Sequence, residues 1–317
     1  MPLWSDMVVH EKWNALVCDP VDSVLIDGLK NRGLTVEYEP SITPDDLAAS
    51  IGKFHVVVVR SRTKLTSSIL SSASNLKIIA RAGIGTDNID TEYASRHGIF
   101  IVTAAGSSTH SVAELNISLM IMLARNLNSL VEKTRNGIWE KSPGTELYGK
   151  TAGIIGMGRI GFATARILSS MGMQVAAYDP VVNMEFIEKM HGEYHDLDTI
   201  LSVSDVIFVL ANLTDSGNGM LNAAHISRMK QGILIVNTSR SEFIKGSDLF
   251  EAMKSGKIGG YAADVFWHEP PVEPWEKELI SMSNVIITPH IGAQTYEAQK
   301  KVAEYTLNNL FKKMEEI

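Results

Sequence analysis

Thr151-Ala152-Gly153-Ile154-Ile155 followed by Gly156-Met157-Gly158-Arg159-Ile160-Gly161 is the stretch that decides the fold. A short apolar run reads as a buried strand, and the amphipathic residues from about Phe162 to Ser170 read as a helix. Between them lies G-x-G-x-x-G, a pattern that is weak alone but mechanistic in a strand-to-helix turn. Gly156 permits the tight turn and Gly158 lets backbone approach a pyrophosphate, while Gly161 lets helix and strand pack closely. Arg159 and Ile160 complete the turn, and the helix N-terminus attracts an anion. A dinucleotide is the expected ligand.

The next strand, Gln174 to Tyr178, ends at Asp179, where a carboxylate accepts hydrogen bonds from the adenosine ribose hydroxyls. The same charge repels a 2′-phosphate, and Pro180, Val181 and Val182 supply no cation to hold one. NAD is therefore expected over NADP. Further strands are expected at Asp205 to Leu210, Gly232 to Asn237, Gly259 to Val265 and Asn284 to Thr288, giving six in this half with helical connectors. Upstream, a second series is read at Ala15 to Cys18, Leu34 to Tyr38, His55 to Val59, Leu76 to Ala80 and Ile99 to Val102. A helix from about Ser108 to Asn126, carrying Val112, Leu115, Leu119, Met122 and Leu123 at helical spacing, is expected to connect the two series. The repeated β-α pattern predicts parallel sheets in two α/β domains. One is a Rossmann-type doubly wound cofactor domain over 105–292. The other is a smaller flavodoxin-like substrate domain over 1–104, completed by a returning helix in 293–317.

Composition narrows the partners. The 317 residues carry 29 Lys and Arg against 36 Asp and Glu, and the net charge of −7 argues against nucleic acid or an acidic membrane as a bulk partner. The longest apolar runs, such as Val56 to Val59 and Leu119 to Ala124, are too short to span a bilayer. Asp6, Glu11 and Lys12 fall where a signal peptide needs an apolar core, so a cytoplasmic location is expected. The single cysteine, Cys18, reads as a small buried hydrophobe, and no metal site is expected.

Three residues stand just past the ends of three later strands, the edge where open α/β sheets bind ligands. They are Arg240 in Asn237-Thr238-Ser239-Arg240, Glu269 in Trp267-His268-Glu269-Pro270, and His290 in Thr288-Pro289-His290. Alone, Arg240 reads equally as a surface arginine, and Glu269 and His290 more often as structural residues, but the set has a chemistry. Hydride transfer to a ketone leaves an alkoxide that needs an imidazole acid, a carboxylate that stabilises the imidazolium, and a cation for a substrate carboxylate. Small 2-hydroxy or 2-oxo acids fit that description.

These segments, with Arg81 to Asp90, Ser111-Val112-Ala113-Glu114 and Gly144 to Lys150, resemble the D-isomer-specific 2-hydroxyacid dehydrogenase family over nearly the whole chain. The resemblance implies that Arg240 binds and polarises the 2-oxo acid, that His290 is the acid/base and that Glu269 pairs with it. It implies that Asp264 contacts the nicotinamide carboxamide, that the amides of Gly83 and Ile84 receive the substrate carboxylate, and that homodimers form through the cofactor domains. It also places Arg60 and Ser61, in the basic Arg60-Ser61-Arg62 that follows Val56 to Val59, at the substrate site, at a strand end expected to face the interdomain cleft. Arg135 is a further candidate cation, reaching across the dimer. Two departures stand out. Ser241-Glu242-Phe243-Ile244-Lys245 replaces the usual glycine pair after the arginine, and Ser108 replaces an asparagine that contacts substrate. The leading expectation is oxidation of 3-phosphoglycerate, the first committed step towards serine. Glyoxylate or hydroxypyruvate reduction is the alternative, and an NADH-sensing scaffold a remote third. The chain ends at Ile317, where some relatives continue into a serine-sensing domain, so feedback through such a domain is not expected.

Overall fold

A computed structural model gives the structure over residues 13–190, 192–213 and 217–317. Asp6, Glu11 and Lys12, on which the expectation about a signal peptide rests, lie outside the described residues. The chain divides into two compact units, one formed by the residues up to Ser108 with Gln294–Ile317, the other by Thr109–Ala293.

The first unit holds β1 (Asn14–Val17), α1 (Ser23–Asn31), β2 (Thr35–Tyr38), α2 (Pro44–Ser50), β3 (Val56–Val59), α3 (Ser67–Leu70), β4 (Ile78–Arg81), α4 (Thr91–Arg96) and β5 (Phe100–Thr103). The strands pair in parallel in the order β2-β1-β3-β4-β5, the flavodoxin-like order. β3 is four consecutive buried valines, as a central parallel strand covered on both faces requires. Alternation sends Val56 and Val58 to a core with Leu25, Leu29 and Phe311, and Val57 and Val59 to one with Leu47, Leu65 and Ile99. The first core is closed by the C-terminal helix, Tyr296–Glu316, started by Thr295, whose hydroxyl accepts from the Ala298 amide at 3.1 Å. Gly28 of α1 lets the two helices meet, because a Cβ there would run into Leu307. Cys18 is fully buried in the second core, where desolvation pushes its thiol up to about 12.

The second unit contains α5 (Thr109–Ala124), α6 (Leu127–Arg135), β6 (Thr151–Ile155), α7 (Arg159–Ser170), β7 (Gln174–Tyr178), α8 (Met184–Met190), β8 (Glu193–Tyr194), α9 (Leu197–Val203), β9 (Val206–Val209), α10 (Ala223–Arg228), β10 (Ile233–Asn237), α11 (Gly246–Lys254), β11 (Ile258–Ala263), α12 (Pro274–Ser281) and β12 (Val285–Ile287). The strands pair in parallel as β12-β11-β10-β9-β6-β7-β8, the Rossmann order with one strand added beyond the sixth. Six strands were expected. The strand not expected, β8, holds the third place of that order and is a two-residue edge strand with no apolar run to announce it, in keeping with edges that are kept short. The long helix stops at Ala124 because Asn126 takes a left-handed φ of 51°, a conformation asparagine tolerates, and α6 starts afresh. α7 begins at Arg159, before the expected Phe162, because Gly161 belongs inside its first turn. Among the described residues no helix is long and apolar enough to cross a membrane.

Candidate active site

The switch in strand order between β6 and β9 places the glycine turn. Ile155 pairs with Val209, and the Leu210 amide donates to the Ile155 carbonyl at 2.8 Å, so the chain leaving β6 runs against the chain leaving β9. Gly156 turns there with φ 102°, and a Cβ on it would collide with the Ala211 backbone. Gly161 faces back onto the Gly156 carbonyl, where a Cβ would collide as well. Gly158, by contrast, caps α7 with no side-chain cap, and a Cβ there meets nothing within 4 Å. Open space over Gly158 beside a helix whose first amides lack a side-chain acceptor is the cradle a pyrophosphate fits.

Asp179 closes this turn from β7. Its carboxylate accepts from the Met157 amide at 2.7 Å and the Val181 amide at 2.8 Å. Asn183 reaches the other side of the same residue, donating to the Met157 carbonyl at 3.1 Å. Two amides leave lone pairs on the Asp179 oxygens for further donors such as ribose hydroxyls.

Register brings the later strand ends to the same edge. Asn237 stands beside Val209 and Ala263, and Ala263 beside Ile287. Arg240, Glu269 and His290 follow these ends on successive loops. Asn237, fully buried, shapes the first loop: its side chain accepts from the Ser239 amide at 3.0 Å and donates to the Arg240 carbonyl at 2.9 Å. The Arg240 guanidinium donates to the Ser239 carbonyl at 2.7 Å.

Glu269 and His290 come together. The His290 ring nitrogen Nδ1 lies 3.4 Å from Glu269 Oε2, with both side chains about half exposed. Glu269 is held from behind by the Phe266 amide, which donates to Oε1 at 3.1 Å. Glu276 pins the rest of that loop, accepting from the Val272 and Glu273 amides and pairing with His268, each at 2.9 Å. Burial pushes the Glu276 carboxyl up, and these bonds outweigh it, leaving the group below its ordinary value. His290 has φ 55°, an unusual backbone conformation for a non-glycine residue and one that surrounding structure must enforce.

Asp264 enforces it. Its buried carboxylate accepts from the Thr288 hydroxyl at 2.5 Å, the Ile291 amide at 2.7 Å and the Gly292 amide at 2.6 Å, clasping the loop on both sides of His290. Ser111 of α5 adds a bond to the Gly292 carbonyl at 2.6 Å. The family resemblance implies an Asp264 contact to the nicotinamide; the loop bonds seen here, like those of Asn237 and Glu276, were not foreseen from the sequence. Acidic and amide side chains at strand and helix ends were the available signal.

The expected substrate residues lie in the first unit, except Arg135, which sits on the exposed last turn of α6. Asp19, buried after β1, accepts from the Arg60 amide at 2.5 Å and from Arg62 Nε at 2.9 Å. Arg62 is thereby committed to structure. The Arg60 side chain is half buried, desolvation pushes its guanidinium below the ordinary value, and Nη1 donates to the Pro20 carbonyl at 3.2 Å. Ser61 is exposed, while Ser108 is buried. The Gly83 amide donates to the Arg81 carbonyl at 2.8 Å, whereas the Ile84 amide keeps no such bond among the described residues.

A doubly wound sheet with an open-faced glycine turn and an acidic residue after the second strand defines a dinucleotide-binding protein, and the Glu269–His290 pair follows strands of the same sheet. Residues 117–292 match the family model described as D-isomer specific 2-hydroxyacid dehydrogenase, NAD binding domain. The chain belongs to that family. It is 40% identical over 289 residues to the D-3-phosphoglycerate dehydrogenase of Archaeoglobus fulgidus, covering 90% of this chain and 54% of that protein. It is also 40% identical over 305 residues to the hydroxypyruvate reductase of Thermotoga maritima, covering 96% and 99%. The chain thus spans about half the length of the phosphoglycerate dehydrogenases it matches, and nearly all of the reductase. Among solved structures, D-lactate dehydrogenase from Aquifex aeolicus complexed with NAD and lactic acid superposes with a TM-score of 0.84 at 27% identity, covering 95% of each chain.

Proposed function

We propose that this protein is an NAD-dependent D-2-hydroxyacid dehydrogenase whose substrate is D-3-phosphoglycerate, oxidised at C2 to 3-phosphohydroxypyruvate. The observation that carries the reaction type is the Glu269–His290 pair on the strand edge it shares with the glycine turn. When bound, the nicotinamide cofactor would supply the hydride chemistry, as acceptor in its oxidised form and donor in its reduced form. Arg240 holds the substrate carboxylate in its fork and draws charge towards the C2 oxygen. With Nδ1 facing Glu269, His290 presents Nε2 to that oxygen. In oxidation the neutral ring takes the hydroxyl proton, and in reduction the imidazolium returns it, with Glu269 stabilising the charged ring in both directions. Asp264 holds His290 for this exchange, so its role is to position the acid/base. The Ile84 amide and Gly83 serve the substrate carboxylate, with Arg60, Ser61, Ser108 and Arg135 around the rest of the substrate. Arg60 is the phosphate partner in this reading. The enzyme acts in the cytoplasm as a homodimer joined through its cofactor domains.

Hydroxypyruvate reduction is the second reading, favoured by the Thermotoga maritima relative, which matches over 99% of its own length. A spectrophotometric panel following NADH with 3-phosphoglycerate, 3-phosphohydroxypyruvate, hydroxypyruvate and glyoxylate decides between them. The phosphorylated pair should have the highest kcat/KM. Faster turnover of hydroxypyruvate or glyoxylate transfers the assignment to the reductase, and no turnover of any 2-oxo acid removes the dehydrogenase reading.

A further inference from the structure

α5 is an apolar helix with one polar residue on its buried face. Val112, Asn116, Leu119 and Leu123 stand four, three and four residues apart, one side of a helix, and all four are buried. Leucine at 116 would pack there without polar cost, whereas an amide in such a place costs about 1–3 kcal/mol unless its groups are satisfied. Asn116 is fully buried and both ends of its side chain are used. Nδ2 donates to the Thr164 hydroxyl at 3.1 Å, and Oδ1 accepts from the Thr238 hydroxyl at 2.7 Å.

The two partners belong to different halves of the site. Thr164, itself fully buried, lies on α7, the helix whose N-terminus follows Gly158. Thr238 lies two residues before Arg240, in the turn that Asn237 shapes. α5 packs on both α7 and β10, so the amide bridges them from a third element. A hydrogen-bonded group fixes rotation and translation of a helix more sharply than apolar contact does, because a small slide breaks a bond of the fully buried Asn116 amide, which cannot find water in exchange.

We propose that Asn116 is a positioning residue that fixes the Arg240 turn and the cofactor helix α7 in one register, so that substrate affinity and cofactor affinity depend on the same buried amide. This rests on Arg240 being the substrate cation, as argued above.

Each arm can be cut separately by an isosteric change. Thr238→Val removes only the hydroxyl that faces Asn116 on the Arg240 side, and Thr164→Val removes only the one on α7. Thr238→Ser restores the hydroxyl and serves as the rescue. NADH affinity is read by fluorescence titration, kcat and KM are measured with hydroxypyruvate, and urea unfolding reports stability. Thr238→Val should raise KM by about 5- to 50-fold with the NADH Kd within about twofold of wild type. Thr164→Val should weaken NADH by about 5- to 50-fold, Asn116→Leu should do both, and Thr238→Ser should return KM to near wild type. A folded Thr238→Val of lowered stability but unchanged KM and kcat overturns the proposal, as does a Thr164→Val that binds NADH like wild type. If Asn116→Leu fails to fold, the two valine variants decide. If wild type turns over no 2-oxo acid, the dehydrogenase reading has failed, and NADH titration of Thr164→Val and Asn116→Leu decides the cofactor arm by itself.

Discussion

Gly158→Ala separates a glycine that serves a ligand from glycines that serve the fold. Its φ of −73° is ordinary for alanine, and the added methyl meets nothing within 4 Å. The folded protein has no reason to object: a slightly stiffer unfolded chain and a slightly poorer helix cap oppose each other, leaving stability within about 0.5 kcal/mol of wild type. A pyrophosphate seated on the turn meets that methyl directly. Overpacking of about 1–3 kcal/mol then applies to binding alone, an increase in the NADH Kd of roughly 5- to 150-fold. Gly156→Ala is the contrast. There φ is 102° and the new Cβ collides with the Ala211 backbone, which the Leu210 to Ile155 hydrogen bond prevents from moving away. Left-handed strain of about 1–2 kcal/mol adds to about 1–3 kcal/mol of overpacking, so this variant should lose stability as well as affinity. Urea unfolding without NADH and fluorescence titration with it give both quantities for each variant. Gly158→Ala binding NADH like wild type, or unfolding as early as Gly156→Ala, refutes the reasoning.

His290→Asn should lower kcat by roughly 10²- to 10⁴-fold while the NADH Kd stays near wild type, since it removes a proton-transfer group and no dinucleotide contact; stopped-flow and titration report the two numbers. Glu269→Gln removes the carboxylate that faces His290 Nδ1 at 3.4 Å, so kcat should fall by roughly 10- to 10²-fold with the NADH Kd near wild type, and an unchanged kcat means that the pair does not form in the working enzyme. Asp179→Ala should narrow the preference for NADH over NADPH chiefly by weakening NADH, starting from a wild-type preference of at least about tenfold, or roughly 1.4 kcal/mol; equal wild-type affinities remove the basis for the selectivity argument. Arg60→Ala should raise KM for 3-phosphoglycerate by about 10- to 100-fold and change glyoxylate or hydroxypyruvate kinetics far less, and equal damage to all substrates argues against a phosphate contact at Arg60.

Much of the fold was legible because its signals are local. Four valines at 56–59 in a row, the strand-glycine-helix run from Thr151, and the repeated return from apolar run to amphipathic stretch each declare themselves within a dozen residues. That Arg240, Glu269 and His290 each follow a strand end was legible for a related reason, because strand ends of a repeated β-α pattern can be read from sequence. Identity of residue and place in the repeat were enough to group them. Their distances and partners were not. That Asp264 clasps both sides of His290, that Glu276 anchors the Glu269 loop and that Arg62 is committed to Asp19 depend on hydrogen bonds across loops that periodicity leaves undescribed. Asn116 is the sharpest case, a polar residue within an apolar stripe whose partners lie 48 and 122 residues away. Sequence by itself determined which elements form and which chemical groups reach the sheet edge, because both follow from nearest-neighbour patterns of burial and backbone freedom. Only the tertiary structure decided which of those groups pair with one another and which hold neighbouring loops in place, because a buried polar atom must find its partner wherever the packing of distant elements has put one.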